Sequence, residues 1–207
     1  MNASPEAVLE FWFGDASESH AAVAARREIW FGGSPSFDER IRELFGVLPP
    51  RAQRGELDSW REAARSSLAL VLVLDQFPRN LYRGSAQAFA YDPLGIEVAL
   101  AAIESRFDAE LGPLEATFLY MPLEHSEDIE LQDRCVALFE GLLARAPANQ
   151  QEQFDLSLSF AIRHREVIRR FGRFPHRNAA LARHSTNEER SYLESDGDPF
   201  GVAASAL

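Results

Sequence analysis

Leu68-Ala-Leu-Val-Leu-Val-Leu74 is apolar at every position and stops abruptly at Asp75. A segment with no polar face has no side to turn to water, so it must lie in the middle of the fold. Such a run suits a buried strand as well as a buried helix. Its surroundings favour the helix: the other apolar segments recur every three or four residues, none alternates with period two, and no partner strand is visible. The spacing predicts a central helix over 66–76, ended by Phe77-Pro78. That helix carries Asp75-Gln-Phe-Pro-Arg-Asn80 inward with it.

The remaining punctuation predicts more helices. Ser4 caps a first one, with Pro5 at its first position, and Gly14 stops it after Phe11-Trp-Phe13. An Ala- and Arg-rich helix reaches Trp30-Phe31. Ser36 and Glu39 form a capping box before Ile41, Leu44 and Phe45. Asp92-Pro93 and Gly112-Pro113 open two further helices, and Pro122 kinks or ends the second. Ser126 is expected to cap a helix over 127–145. A long helix follows from about 150 to 171, with Gly172 as its C-cap. Ser185 and Glu188 box the last helix. The class is all-α, with antiparallel helix pairs joined by short turns. A bundle and a curved stack of helical hairpins both fit. We expect one domain over 1–195 and a flexible tail over 196–207.

With 32 acidic and 21 basic residues, the chain has a formal charge of −11. That balance disfavours nonspecific binding to nucleic acid or to an anionic membrane. Every basic residue is Arg and none is Lys, so the position of an Arg says more than its abundance. The longest apolar run is far too short to span a bilayer, and no basic leader precedes it, so the cytoplasm is the default compartment. Cys135 lies on a helical apolar face and reads as a small buried hydrophobe.

Three phrases concentrate the polar chemistry. In the first, Asp75 follows the apolar run, with Arg79, Asn80 and Arg83 behind it. A buried carboxylate needs a cation, so Asp75 either pairs with an Arg to fix a helix end or orients a ligand-contacting group. In the second, Met121-Pro-Leu-Glu-His-Ser-Glu-Asp128, a continuous helix puts Glu124, His125 and Asp128 on one face. Carboxylate and imidazole suit general acid–base work or a Zn, Mn or Fe site. The absence of a Glu-x-x-His pair here weighs against the metal. The alternative is a helix cap, which accounts for Ser126, Glu127 and Asp128 but not for Glu124 and His125.

The third phrase follows His164 on the long helix: Gly172-Arg-Phe-Pro-His-Arg-Asn178, then Arg183. Arg173, Arg177 and Arg183, with His176 and Asn178, suit an anion pocket near helix ends. They equally suit an Arg-rich loop bridging acidic residues such as Glu188 and Glu189. A lone helical His164 is most simply a packing residue and gains interest only beside His125.

Together these phrases resemble a bacterial family known as a domain of unknown function, DUF924. Phe11-Trp-Phe-Gly14, Trp30-Phe31, Leu74-Asp-Gln-Phe-Pro-Arg-Asn80, Phe118 to Asp128 and Phe171 to Asn178 carry the resemblance. One departure is Ala182, where the family pattern usually has Gly. The resemblance implies an all-helical, tetratricopeptide-like fold and no activity.

Three functional readings follow. The leading one is a site for a small phosphate- or carboxylate-bearing molecule, with or without catalysis. Arg79, Asn80, Arg83, His164, Arg173, Arg177, Asn178 and Arg183 would hold the ligand. His125 and His176 would exchange protons, oriented by Asp75, Glu124 and Asp128. The residues do not specify a cofactor. The second reading is a protein- or peptide-interaction module using a concave groove. The third is that the phrases are buried ion-pair networks that fix helix packing.

Overall fold

The computed structural model describes residues 3–16, 20–148 and 150–195; the expected tail, 196–207, lies outside the described residues. Every regular element among them is helical. Helix α1 (Pro5–Phe13) begins on Ser4, whose hydroxyl accepts from the Ala7 amide at 3.2 Å. It ends at Gly14, which has φ +50°. The exposed carbonyls of Phe11 and Phe13 accept from the Arg26 guanidinium of α2 (His20–Phe31) at 3.0 and 3.3 Å. Trp30 of α2 donates its indole N–H to the Trp12 carbonyl at 2.9 Å. The two indoles stack at 5.9 Å, and Trp12 also meets Phe77 and Phe118. Aromatic burial of this extent ties the N-terminal helices to the centre. Trp12, Phe13 and Trp30 are therefore core, Phe11 packs against it partly buried, and Phe31 stays exposed.

Helices α3 (Pro35–Phe45) and α4 (Leu48–Gln53) follow. The cap of α3 is Ser34 rather than Ser36, because Pro35 takes the first helical position. The apolar run then enters the centre in α5 (Ala64–Val71), and residues 68–74 are almost fully buried. Phe77-Pro78 does not end this helix. Over Leu72–Gln76 it widens into a π turn, in which the Phe77 amide donates to the Leu72 carbonyl five residues back. It continues as α6 (Phe77–Leu81). Pro78 falls in the first turn of α6, and having no N–H it removes one backbone bond from the continuing helix. The π turn carries Asp75 and Gln76; such turns concentrate at functional sites.

Helix α5 packs on α1, on α7 (Asp92–Glu104) and on α8 (Pro113–Glu124). Helices α8, α9 (Ile129–Arg145) and α10 (Gln151–Phe171) pack in succession through short turns. Gly172 closes α10 in the left-handed region, as expected. The last helix, α11 (Asn187–Ser195), leans on the tight turn 175–177.

Two further expected caps shift. Helix α9 starts on Asp128, whose Oδ1 accepts from the Glu130 amide at 2.8 Å, while Ser126 Oγ accepts from the Asp128 amide. Since α8 has already ended at Glu124, the residues Glu124, His125 and Asp128 share no helical face. The last capping box is Thr186–Glu189, one residue beyond Ser185–Glu188. No helix among the described residues is long and apolar enough to cross a membrane.

The close of α1 is a sensitive point. A Cβ on Gly14 would run into the Arg26 guanidinium, which its two carbonyl bonds hold in place, and φ is positive there. Gly14→Ala should lower stability by more than about 1 kcal/mol, read as the midpoint shift in a urea titration.

Candidate functional site

Asp75 is the node. The π turn holds its carboxylate at 1% exposure. Its Oδ1 accepts from His125 Nδ1 at 2.7 Å and lies 3.1 Å from Arg79 Nη1. Its Oδ2 accepts from Gln76 Nε2 at 2.6 Å. Burial alone would push the carboxyl up, but Arg79 and His125 outweigh it and hold the group well below its usual range. Arg79 also grips Asp92 with both nitrogens, at 2.8 and 2.9 Å. It is thus spent on two carboxylates.

His125 sits just past the end of α8. Burial first, then the charge of Arg79, lower its basicity by more than Asp75 raises it. Asp75 therefore faces a neutral imidazole, and its ionic partner is Arg79. The carboxylate can only accept, so Nδ1 of His125 carries the proton and Nε2 keeps its lone pair. His164 of α10 lies beside it, with ring centres 6.2 Å apart. Its Nδ1 is 3.0 Å from Glu124 Oε1 and 2.9 Å from the Phe160 carbonyl. The condition that gave His164 interest, nearness to His125, is met.

The C-terminal phrase divides by role. Arg173 pairs with Glu189 at 2.6 and 2.9 Å. Arg183 clasps Glu127 with both nitrogens at 2.7 and 2.9 Å and donates to Asn178 Oδ1. Glu127 also accepts from the Phe174 amide at 2.8 Å. Asn178 donates to Ser185 and Glu189. These bonds pin the loop after α10 to the α8–α9 junction. They leave Phe174, His176 and Arg177 as the loop's inner face.

That face closes a cavity of about 380 Å³. Its cationic lining is Arg27, Arg79, Arg83 and Arg177; its imidazoles are His125, His164 and His176; its carboxylate is Glu124. Trp30, Phe31, Phe89, Met121, Phe139 and Phe160 supply apolar wall, with Gln76, Asn80, Thr117 and Ser157 as neutral polar groups. Asn80 and Arg83 reach it while bound to Asp38 of α3 at 2.7–3.0 Å. Arg177 is sandwiched between the Phe89 and Phe174 rings, at 4.7 and 4.5 Å. Its one carboxylate contact, to Asp92, is long at 3.5 Å, and its buried Nε has no hydrogen-bond partner. Burial, then Arg79, bring its basicity down to about 10. Burial, then Arg177, bring His176 down to about 2.

Of the residues singled out from sequence, His125, His164, His176, Glu124, Arg79, Asn80, Arg83 and Arg177 line this cavity. Asp75 lies directly behind His125. Asp128, Arg173, Asn178 and Arg183 do not line it; they cap α9 or bind the loop. Sequence reasoning missed Arg27, which lies over the Phe31 ring at 5.6 Å, and the aromatic wall. It also missed Asp92 and Asp38 as partners of the central phrase. Among the described residues no group of three or more His, Cys, Asp or Glu is placed to hold a metal ion. Cys135 is fully buried, and burial pushes its thiol up, as fits a packing residue.

The sequence matches the family described as bacterial proteins of unknown function, DUF924, over residues 8–197. The chain belongs to the DUF924 family. A solved structure described as a protein of unknown function, ATU0120 from Agrobacterium tumefaciens, is 38% identical, with a TM-score of 0.77. The match covers 92% of this chain and 96% of that one. No curated protein matches. In this DUF924 protein the departure at Ala182 has a structural cost, since the residue adopts φ +52°.

Two predictions follow from this geometry. Left-handed backbone costs a residue with a Cβ roughly 1–2 kcal/mol, and glycine returns part of that in entropy. Ala182→Gly should therefore raise stability by about 0.5–1 kcal/mol in a urea titration. The second concerns pH. His125 and His176 resist protonation in the fold, whereas the unfolded chain protonates each near pH 6.5. The unfolded state then binds more protons, so stability is full above about pH 6.5 and falls as pH drops toward the lowered folded values. Each His contributes a slope of up to about 1.4 kcal/mol per pH unit. Urea titrations between about pH 7 and 5 should show a shallower decline for His176→Gln than for the wild type.

Proposed function

We propose that this protein binds a small anionic molecule, phosphate- or carboxylate-bearing with an apolar body, in the cavity closed by Arg177. The observation that carries this reading is Arg177 itself. It is a guanidinium at 6% exposure whose Nε is unpaired and whose carboxylate contact is long. A buried cation left so poorly matched is costly unless an anion completes it. Arg27 lies on the same cavity, lowered by burial and facing the charge of Glu124. The aromatic and Met walls give an apolar body somewhere to lie.

Cavity size favours this over the peptide-module reading. A volume of about 380 Å³ sits at the small end of ligand pockets, whereas an extended peptide needs an open groove. The structural reading accounts well for Arg173, Arg183 and Asn178. It does not account for Arg177.

The two readings of Arg177 differ measurably. Removing Arg79 strands a buried carboxylate, so Arg79→Met should cost about 3–5 kcal/mol. Arg177→Met keeps the packing between two rings and strands nothing comparable, so it should cost under about 1 kcal/mol. Native mass spectrometry of the purified protein should show extra mass that denaturation removes and that Arg177→Met lacks. Equal native and denatured masses, with Arg177→Met as destabilising as Arg79→Met, would make Arg177 one more structural ion.

A further inference from the structure

We infer that the ligand of this cavity carries a neutral hydroxyl beside its anionic group, and that His125 Nε2 accepts the hydroxyl proton in a hydrogen bond. This rests on the anion reading of Arg177 and narrows it to hydroxy acids and hydroxylated phosphate esters.

Geometry sets the first half of the inference. His125 Nδ1 is committed to Asp75 Oδ1 at 2.7 Å. Asp75 is itself committed to Arg79, Arg79 to Asp92, and Gln76 to Asp75. The ring cannot turn over without exchanging a charge-assisted bond for none. His125 lines the cavity, and among the described residues its hydrogen bond is the one through Nδ1, which leaves Nε2 without one. An acceptor that the protein leaves without a donor is a place where a ligand donor gains a hydrogen bond. The ligand is the natural source of that donor.

Charge sets the second half. An amine on the ligand would also donate, but as an ammonium it would meet Arg27, Arg79 and Arg177 on the same walls. Burial, with Arg79 beside His125 and with Arg177 and Arg79 beside His176, already keeps these two imidazoles from protonating. A field that suppresses one cation beside Nε2 suppresses another. Glu124, the cavity's carboxylate, is turned to His164 at 3.0 Å. A hydroxyl donates without bringing charge.

The test compares acids that share one skeleton. Binding of phenylacetate, mandelate and phenylglycine is measured by calorimetry. A second pair, 3-phenylpropionate and 3-hydroxy-3-phenylpropionate, moves the hydroxyl one carbon further from the carboxylate. At least one hydroxy acid should bind about tenfold tighter than its parent, and phenylglycine should bind no better than phenylacetate. His125→Phe should erase the hydroxyl's advantage and keep the parent's affinity, and Arg177→Met should abolish all binding. A ¹⁵N spectrum of the wild-type imidazoles supplies a readout that needs no variant to fold: Nε2 of His125 should be unprotonated at neutral pH. If hydroxy and parent acids bind alike and Arg177→Met abolishes both, the hydroxyl inference is overturned and the anion pocket stands. If none of the acids binds, both fall. A protonated Nε2 overturns the hydroxyl inference alone.

Discussion

Asp75 is a carboxylate set at the end of an apolar run, almost out of reach of water, and a charge so placed must be neutralised where it stands. The penalty for an unpaired buried ion is several kcal/mol, comparable with the whole stability of a domain. Arg79, one turn later in a continuing helix, meets that demand. Arg79 then meets Asp92 at the start of α7, and Asp75 fixes His125 at the end of α8. Three helix ends converge because one carboxylate cannot be left alone. The π turn is the local device that makes this possible: it lets the helix pass through Phe77-Pro78 while keeping both Asp75 and Arg79 inside.

The polar phrases serve two purposes that composition alone does not separate. Glu127, Arg183, Asn178, Arg173 and Glu189 form a closed set of hydrogen bonds in which each member finds its complement. Such a set holds the loop after α10 in one conformation. The cavity groups are less completely matched: the Nε of Arg177 has no hydrogen-bond partner among the described residues, and His125 is bonded through Nδ1 alone.

Within the cavity, guanidiniums and imidazoles sit close enough to set one another's charge. Burial lowers Arg27 and brings Arg177 down to about 10, the burial of Arg79 is outweighed by Asp75 and Asp92, which raise it, and burial keeps the His125 and His176 imidazoles neutral. The result is a wall that presents fixed positive charge beside hydrogen-bond acceptors. Glu124 is the carboxylate on that wall, beside His164, while Asp75 and Asp92 lie behind it, held by Arg79. Groups held this way keep fixed positions.

The helical class, most helix ends and the interior position of the Asp75 phrase were legible in the sequence. Periodicity, Gly and Pro placement, and the cost of exposing a wholly apolar run act locally. The same was true of eight residues of the cavity lining, because Arg, His and Asn beside Phe and Pro are conspicuous. Arg27 was not legible, since an Arg in an Ala- and Arg-rich helix looks the same whether it faces water or a cavity. Asp128 was misassigned for a local reason: the helix stops at Glu124 and restarts at Ile129, which breaks the face that continuous spacing implied. The two fates of the C-terminal arginines, Arg173 and Arg183 bound into the scaffold and Arg177 turned to the cavity, were decided by tertiary structure alone. A guanidinium's role depends on which carboxylate stands opposite it, and Glu127, Glu189 and Asp92 come from segments far apart in the chain. The sequence determined what kinds of group had to be buried; the packing of α7, α8 and the loop after α10 decided which of them met and which were left facing an open space.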